Sequence, residues 1–345
     1  MTRCALIVGG LGLVGRGLVD HLLAAGDWEV VAVSRRKPDF QTRARYVSAD
    51  ALDLEDCRLK LRDVGGITHL FYAANNPSEE VEPNLRMLQN VVTAVEEISP
   101  DLQHVNFMQG TKAYGTHFGP YKTPAKESDP RHFPPNWYYD QEDFIRARSV
   151  QSGWSWSAMR PRIICGPYAR TPYNTSLVIG VYATLCKHYG LPLRFPGVEE
   201  AYKPIVQLVD TAHLAKATVW AATTAACAGE IFNVTNGGLF RWQHLWPQLA
   251  RSLGMECAPP QAIRLSQAMR DKRSVWCDIV RIYNLAPHDF SELLQWEDSD
   301  FVFNTTYDSL VDTTKLHRFG FHDIVDDLEM FQRHFERLRA ARIIP

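Results

Sequence analysis

Cys4-Ala5-Leu6-Ile7-Val8-Gly9-Gly10-Leu11-Gly12-Leu13-Val14-Gly15 is the stretch that decides how this chain folds. An apolar run stops at paired glycines, and an amphipathic pattern follows over Val14–Ala25, which reads as a buried strand turning directly into a helix. The glycines satisfy Gly-x-Gly-x-x-Gly (Gly10, Gly12, Gly15) and also Gly-x-x-Gly-x-x-Gly (Gly9, Gly12, Gly15). Glycine has a physical task at each place: one tightens the turn, one lets backbone N–H groups approach a pyrophosphate, and one lets the helix pack on the strand. The positive end of the helix then faces the phosphates. Gly9, Leu11, Gly12, Leu13 and Gly15 are therefore expected around a dinucleotide.

Outward from this turn, short apolar runs alternate with amphipathic stretches. Strands are predicted at Cys4–Val8, Glu29–Val33, Thr68–Ala73, His104–Met108 and Ser155–Met159, and helices at Val14–Ala25, Asn84–Ile98 and Tyr138–Gln151. Leu85, Leu88, Val92 and Val95 recur at the three-to-four spacing of a buried helix face. That alternation predicts an α/β protein with a Rossmann-type, doubly wound parallel sheet. After Pro161 the order loosens into Pro- and Tyr-rich segments. A helix is predicted at Ser176–Tyr189, a strand at Ile231–Val234, and helices at Trp242–Leu253 and Ile324–Arg337. The expected organisation is a nucleotide domain over 1–165, to which 203–238 returns, and a smaller C-terminal substrate-binding lobe formed mainly by 166–202 and 239–345.

The second strand ends Ala32-Val33-Ser34-Arg35-Arg36, where a fold selective for NAD places a carboxylate on the ribose 2′-hydroxyl. With Ser34, Arg35 and Arg36 there, planar charge-assisted pairing to a 2′-phosphate favours NADPH over NADH. The competing reading is two arginines that merely solvate a loop. Asp50, with Ala51 beside it, follows the run Tyr46–Ala49 and is the carboxylate expected at the adenine amino group, although Asp53 stands close enough to be confused with it. Small Ala74 closes the next strand and leaves room for adenosine.

Composition removes other classes of function. The formal net charge of -2 arises from 37 Lys and Arg against 39 Asp and Glu, interspersed, so no block of charge invites nucleic acid or an anionic membrane. A small-molecule partner fits better. Seven scattered cysteines with no Cys-x-x-Cys spacing suggest neither a disulfide framework nor zinc, and the twelve histidines form no metal-binding pattern. The run Ala5–Val8 is too short for a signal-peptide core or a membrane span, so a soluble, cytoplasmic protein is expected.

The Tyr-x-x-x-Lys pair that most short-chain dehydrogenases carry on one helix is missing: Glu142 stands four residues after Tyr138, and Asp143 four after Tyr139. Met108-Gln109-Gly110-Thr111-Lys112-Ala113-Tyr114 resembles the Gln-Thr-Gly-x-Lys-His-Tyr of the progesterone 5β-reductase/iridoid synthase family. Asn136-Trp137-Tyr138-Tyr139-Asp140-Gln141-Glu142-Asp143 is similar to its Asn-Phe-Tyr-Tyr-x-x-Glu-Asp. The likeness continues through Trp156–Pro161, Cys186–Gly190, Leu193–Phe195, Phe232–Gly237 and Trp242–Trp246, nearly the whole chain.

The resemblance implies that Tyr138 is the catalytic tyrosine, that Lys112 is its basic partner supplied from a loop, and that Ile164 touches the nicotinamide end of NADP(H), with Met108 and Tyr138 also expected on the cofactor. The implied activity is reduction of the C=C bond of an enone or enal, a steroid or terpenoid among the candidates. Tyr138 would stabilise the enolate that forms as hydride arrives. Tyr114, Trp137, Phe301 and Phe303 are candidates for an apolar substrate wall, with ordinary core packing as the alternative. The family's helices at Asn84–Ile98 and Tyr138–Gln151 also imply a homodimer. This chain departs from the pattern where Gln109 is displaced by one place, Ala113 replaces histidine, Trp137 replaces phenylalanine, and Tyr168–Asn174 is longer. Two other readings stay open: a 1,2-carbonyl reductase or nucleotide-sugar epimerase/dehydratase of the same fold, and a non-catalytic NADP-sensing regulator.

Overall fold

Seven parallel strands form the central sheet of the computed structural model, which describes residues 3–76, 78 and 80–345. In chain order they are β1 (Arg3–Val8), β2 (Trp28–Ser34), β3 (Arg45–Ser48), β4 (His69–Tyr72), β5 (His104–Met108), β6 (Ser155–Pro161) and β7 (Glu230–Val234), and in space they run β7-β6-β5-β4-β1-β2-β3. The order reverses at β1, so α1 (Leu13–Ala25), which opens at its carboxyl end, lies at the switch point where such sheets bind ligands.

Alternation along the strands explains why both faces are covered. Leu6 and Val8 point into one apolar cluster and Ala5 and Ile7 into the other, all essentially inaccessible. One face is sealed by α2 (Leu54–Leu61), α3 (Val81–Ile98) and α4 (Trp137–Ser152), through Leu61, Leu88, Val92, Val95 and Ile145. On the other face Leu18, Val19 and Leu22 of α1 meet Ala215 and Ala222 of α6 (Thr211–Thr223).

Two compact units divide the chain. The first comprises Met1–Arg162, Thr211–Val234 and Asp312–His322; the second comprises Ile163–Asp210, Thr235–Val311 and Asp323–Pro345. The chain therefore rejoins the sheet unit at Thr211, not at 203, because Val209–Asp210 pairs with Ile164–Cys165 in the second unit. A second return, Asp312–His322, escapes the sequence pattern altogether. It is held by Asp312 N donating to the Ala125 carbonyl (2.8 Å) and by Lys315 paired with Glu230 (2.6 Å).

In the second unit, α5 (Thr175–His188), α7 (Trp242–Ser252), α8 (Arg273–Tyr283) and α9 (Asp327–Ala340) enclose a core rich in Trp and Phe, with three two-residue strand pairs. Within it Ser176 Oγ pairs with His334 Nδ1 (2.9 Å), and Asp210 receives His334 Nε2 (3.2 Å) and Arg333 (2.5 Å). Asn174 ties the start of α5 to Gly166, Tyr168 and Thr171, which orders the long stretch Tyr168–Asn174. Among the described residues no helix is long and apolar enough to cross a membrane, and all seven cysteines are free thiols.

Candidate active site

The glycine turn is built from close backbone approaches. Gly9 and Gly10 both donate to the Val33 carbonyl (3.0 Å each), and Gly12 donates to Gly9 (2.8 Å). Gly9 holds φ +87°, and a Cβ there would stand 2.8 Å from the Ala73 carbonyl; on Gly15 it would stand 2.1 Å from the Gly9 carbonyl. Neither position accepts alanine.

Gly12 caps α1 without any side-chain acceptor, so the first-turn N–H groups, which no helix satisfies internally, are left to an outside anion. The site thus fits a dinucleotide pyrophosphate, with Leu11 and Leu13 flanking the cap. Tyr46, which the sequence pattern does not single out, braces the turn by donating to the Gly10 carbonyl (3.0 Å).

Beyond β2, Arg35 and Arg36 are exposed, and Ser48 Oγ fixes the Arg35 carbonyl (2.9 Å). Arg16 of α1 lies over the Phe40 ring at 4.2 Å. The two aspartates separate by their bonds. Asp53 spends its carboxylate capping α2, accepting from Glu55 and Asp56 N (2.9 and 3.1 Å). Asp50 shapes the turn after β3, accepting from Leu52 N (3.0 Å). Ala51 is buried, with its carbonyl held by Asn90 (3.0 Å), and half-buried Ala74 follows β4.

At the end of β5, Met108 is half-buried, and Thr111–Tyr114 forms a single 3₁₀ turn carrying Lys112. Tyr138 is the second residue of α4, with its ring 4.0 Å from that of Trp137. Its hydroxyl stands 2.9 Å from where a Cβ on Gly110 would be, so the phenol faces the loop that bears Lys112. Asn136 joins the two pieces: its Oδ1 accepts from Tyr138 N (3.1 Å) and its Nδ2 donates to the Lys112 carbonyl (2.9 Å).

Tyr139 has a different task. Its hydroxyl donates to the Ala113 carbonyl (2.7 Å) and accepts from His132 N (2.6 Å), which commits it to bracing. Tyr138 is half-buried.

Behind the loop lies a buried polar chain. Gln109 donates through Nε2 to the Tyr138 carbonyl and to Glu142 Oε2 (3.1 Å each), while its Oε1 accepts from Arg160 Nε (2.7 Å). Arg160 also donates to Tyr114 Oη (3.2 Å), which in turn donates to Asn233 Oδ1 on β7 (2.6 Å). Burial pushes the Tyr114 phenol up to about 12, so it serves as a neutral hydrogen-bonding group.

Of the four aromatics considered as a substrate wall, Tyr114 is inside this network, and Trp137 is buried against Tyr138. Phe303 is fully buried in the second unit among Phe195, Trp242 and Trp246, where it acts as core, while Phe301 is exposed. Ile164 belongs to the second unit, paired with Val209.

The sheet order, the glycine turn and the capless α1 define a Rossmann-fold protein. Solved structures agree on the fold: UDP-glucose 4-epimerase of Thermotoga maritima superposes with TM-score 0.68 at 16% identity, covering 98% of this chain and 99% of that one. UDP-glucose 4-epimerase of Thermus thermophilus, in complex with NAD, superposes with TM-score 0.66 at 18% identity, covering 98% and 100%.

The chain belongs to the family of PRISE-like Rossmann-fold domains, whose model matches residues 47–345. Its relatives include an (S)-8-oxocitronellyl enol synthase of Antirrhinum majus (32% identical; 99% of this chain, 92% of the relative). Another is a 3-oxo-Delta(4,5)-steroid 5-beta-reductase of Arabidopsis thaliana (32% identical; 99% and 93%).

Proposed function

We propose that this protein is an NADPH-dependent reductase of the C=C bond of α,β-unsaturated carbonyl compounds. The observation that carries the reading is the placement of the Tyr138 hydroxyl against Gly110, on the loop that bears Lys112, while its neighbour Tyr139 is tied into the fold. The names of the relatives, enol synthase and 5-beta-reductase, favour chemistry at an enone or enal over sugar epimerisation.

NADPH, when bound, supplies the hydride that adds to the β-carbon of the substrate. As that C–H bond forms, the π electrons move toward the carbonyl and charge develops on its oxygen. Tyr138 donates a hydrogen bond to this oxygen, and the Lys112 ammonium makes the phenol a stronger donor. The enolate then takes a proton at the α-carbon, which completes the saturated carbonyl product. A fixed donor of this kind contributes about 3 kcal/mol to lowering the barrier, so Tyr138→Phe should reduce turnover by roughly a hundredfold. Arg35 and Arg36 would hold the 2′-phosphate.

The test is steady-state NADPH oxidation with 2-cyclohexenone, progesterone and a linear terpenoid dialdehyde, with the products identified. A saturated product that retains its carbonyl is expected, whereas an allylic alcohol would establish 1,2-reduction. Replacing Arg35 and Arg36 together by alanine should raise the KM for NADPH by about tenfold or more and leave that for NADH nearly unchanged. Equal losses with both coenzymes would remove the 2′-phosphate assignment.

A further inference from the structure

We infer that Gln109 is a positioning residue for the reaction: its side-chain amide holds the first turn of α4, and with it the Tyr138 phenol, in register with the buried Arg160–Glu142 pair. The inference rests on the role given to Tyr138 above.

The amide has only one orientation that works. Its carbonyl faces the Arg160 guanidinium at 2.7 Å and its NH₂ faces two acceptors, the Tyr138 carbonyl and Glu142, at 3.1 Å each. Turning the amide over would set NH₂ against guanidinium and oxygen against two oxygens. Glutamate in its place would face a carboxylate and a carbonyl with negative charge. An apolar residue would leave Arg160 Nε and the Tyr138 carbonyl without this partner in a region where Gln109, Glu142 and Arg160 are all buried.

The geometry also shows where the amide acts. Gln109 continues the sheet, its N–H donating to the Met159 carbonyl at 2.8 Å, so its backbone is fixed by β5 and β6. The carbonyl it grips belongs to Tyr138 itself, at the first turn of α4, so the amide ties that turn directly to the sheet. Asn136 grips the Tyr138 N–H from the other side. Tyr138 is thus clamped at both backbone polar atoms, and the clamp on the carbonyl leads through Arg160 and Tyr114 to Asn233 on β7.

A double-mutant cycle on turnover tests the inference. Gln109→Leu is expected to lower kcat about tenfold or more while the KM for NADPH stays within about twofold, because it shifts a donor used only as charge develops. In a Tyr138→Phe background the same change should lower kcat by less than about twofold, since no phenol remains to misplace. Losses that multiply in the double variant, or a Gln109→Leu enzyme with parental kcat, would overturn the positioning role while leaving Tyr138 intact. A Tyr138→Phe enzyme with parental turnover would instead remove the phenol's role, and the inference with it. Gln109→Asn, which keeps the amide but is one methylene shorter, covers the case in which leucine prevents folding. The same non-additivity is expected of it, and independent losses overturn the inference.

Discussion

Gly110 shows how much of the site is decided by single atoms. Its backbone is extended, φ -173° and ψ -178°, a conformation open to any residue, so glycine is not there for flexibility. It is there for space, since a methyl group would meet the Tyr138 hydroxyl at 2.9 Å. Gly110→Ala should therefore push the phenol aside by a few tenths of an ångström, reducing kcat by about tenfold with little change in melting temperature. Parental kcat in this variant would show that the hydroxyl is not used where it stands. The sequence carried Tyr138 and Lys112 through the family motifs, but the reason for Gly110 lies in a side chain 28 residues further along, which no local pattern reveals. The same holds for Tyr138 against Tyr139. Two adjacent tyrosines at a helix start look alike until the carbonyl of Ala113 and the N–H of His132 are seen to occupy one of them.

At the level of elements, legibility followed hydrophobic contrast. β1, β5 and α1 stood out because apolar runs meet glycine or a clear amphipathic stripe, whereas edge strand β3, Arg45-Tyr46-Val47-Ser48, is at most half-buried, and its short run before Asp50 was not read as a strand. α6 escaped for the opposite reason: its buried face is mostly alanine and threonine, small enough to lie close to α1, where a Cβ on Gly17 would come within 2.9 Å of the Thr211 carbonyl. The start of α4 was readable from its motif, yet the motif did not disclose that Asn136 is both the cap of the helix and the strut to Lys112. Asn136→Ala removes an N-cap and one donor to the Lys112 carbonyl together, so it should lower unfolding free energy by roughly 1–2 kcal/mol. Because the strut joins the two site segments, kcat should fall as well, even at temperatures where the variant is fully folded. Denaturant unfolding and turnover on one preparation separate the effects, and a stability loss without any change in kcat would reduce Asn136 to a cap.

Across the molecule, the sheet carries a polar seam through its centre that the strand pattern hides, because histidine in an apolar run still reads as a strand. His104 on β5 pairs with Ser155 Oγ and Ser157 Oγ on β6 (2.7 and 2.8 Å), and His69 on β4 pairs with Thr68 Oγ1 (2.9 Å). Burial holds both imidazoles neutral, lowering His104 to about 3, with the His69 charge adding to the effect, and His69 to about 4, with Arg3 adding. In the unfolded chain each would take its proton near 6.5. Between those limits the unfolded state binds more protons than the folded one, so stability is complete above about pH 6.5 and is lost as pH falls through 5 toward 4. His21 and His334, also lowered by burial, act in the same direction. Asp327, raised to about 6 by burial, and Glu127, raised likewise, oppose it by taking up protons in the fold. His104 departs furthest from its ordinary value, and His69, His21 and His334 act with it, so the histidines prevail. Denaturant unfolding from pH 7 to pH 4 should show stability falling with acidification. His104→Gln, which keeps hydrogen-bonding capacity without a titrating ring, should flatten the slope by up to about 1.4 kcal/mol per pH unit. An unchanged slope in that variant would mean that His104 is not the group whose protonation the folded sheet resists.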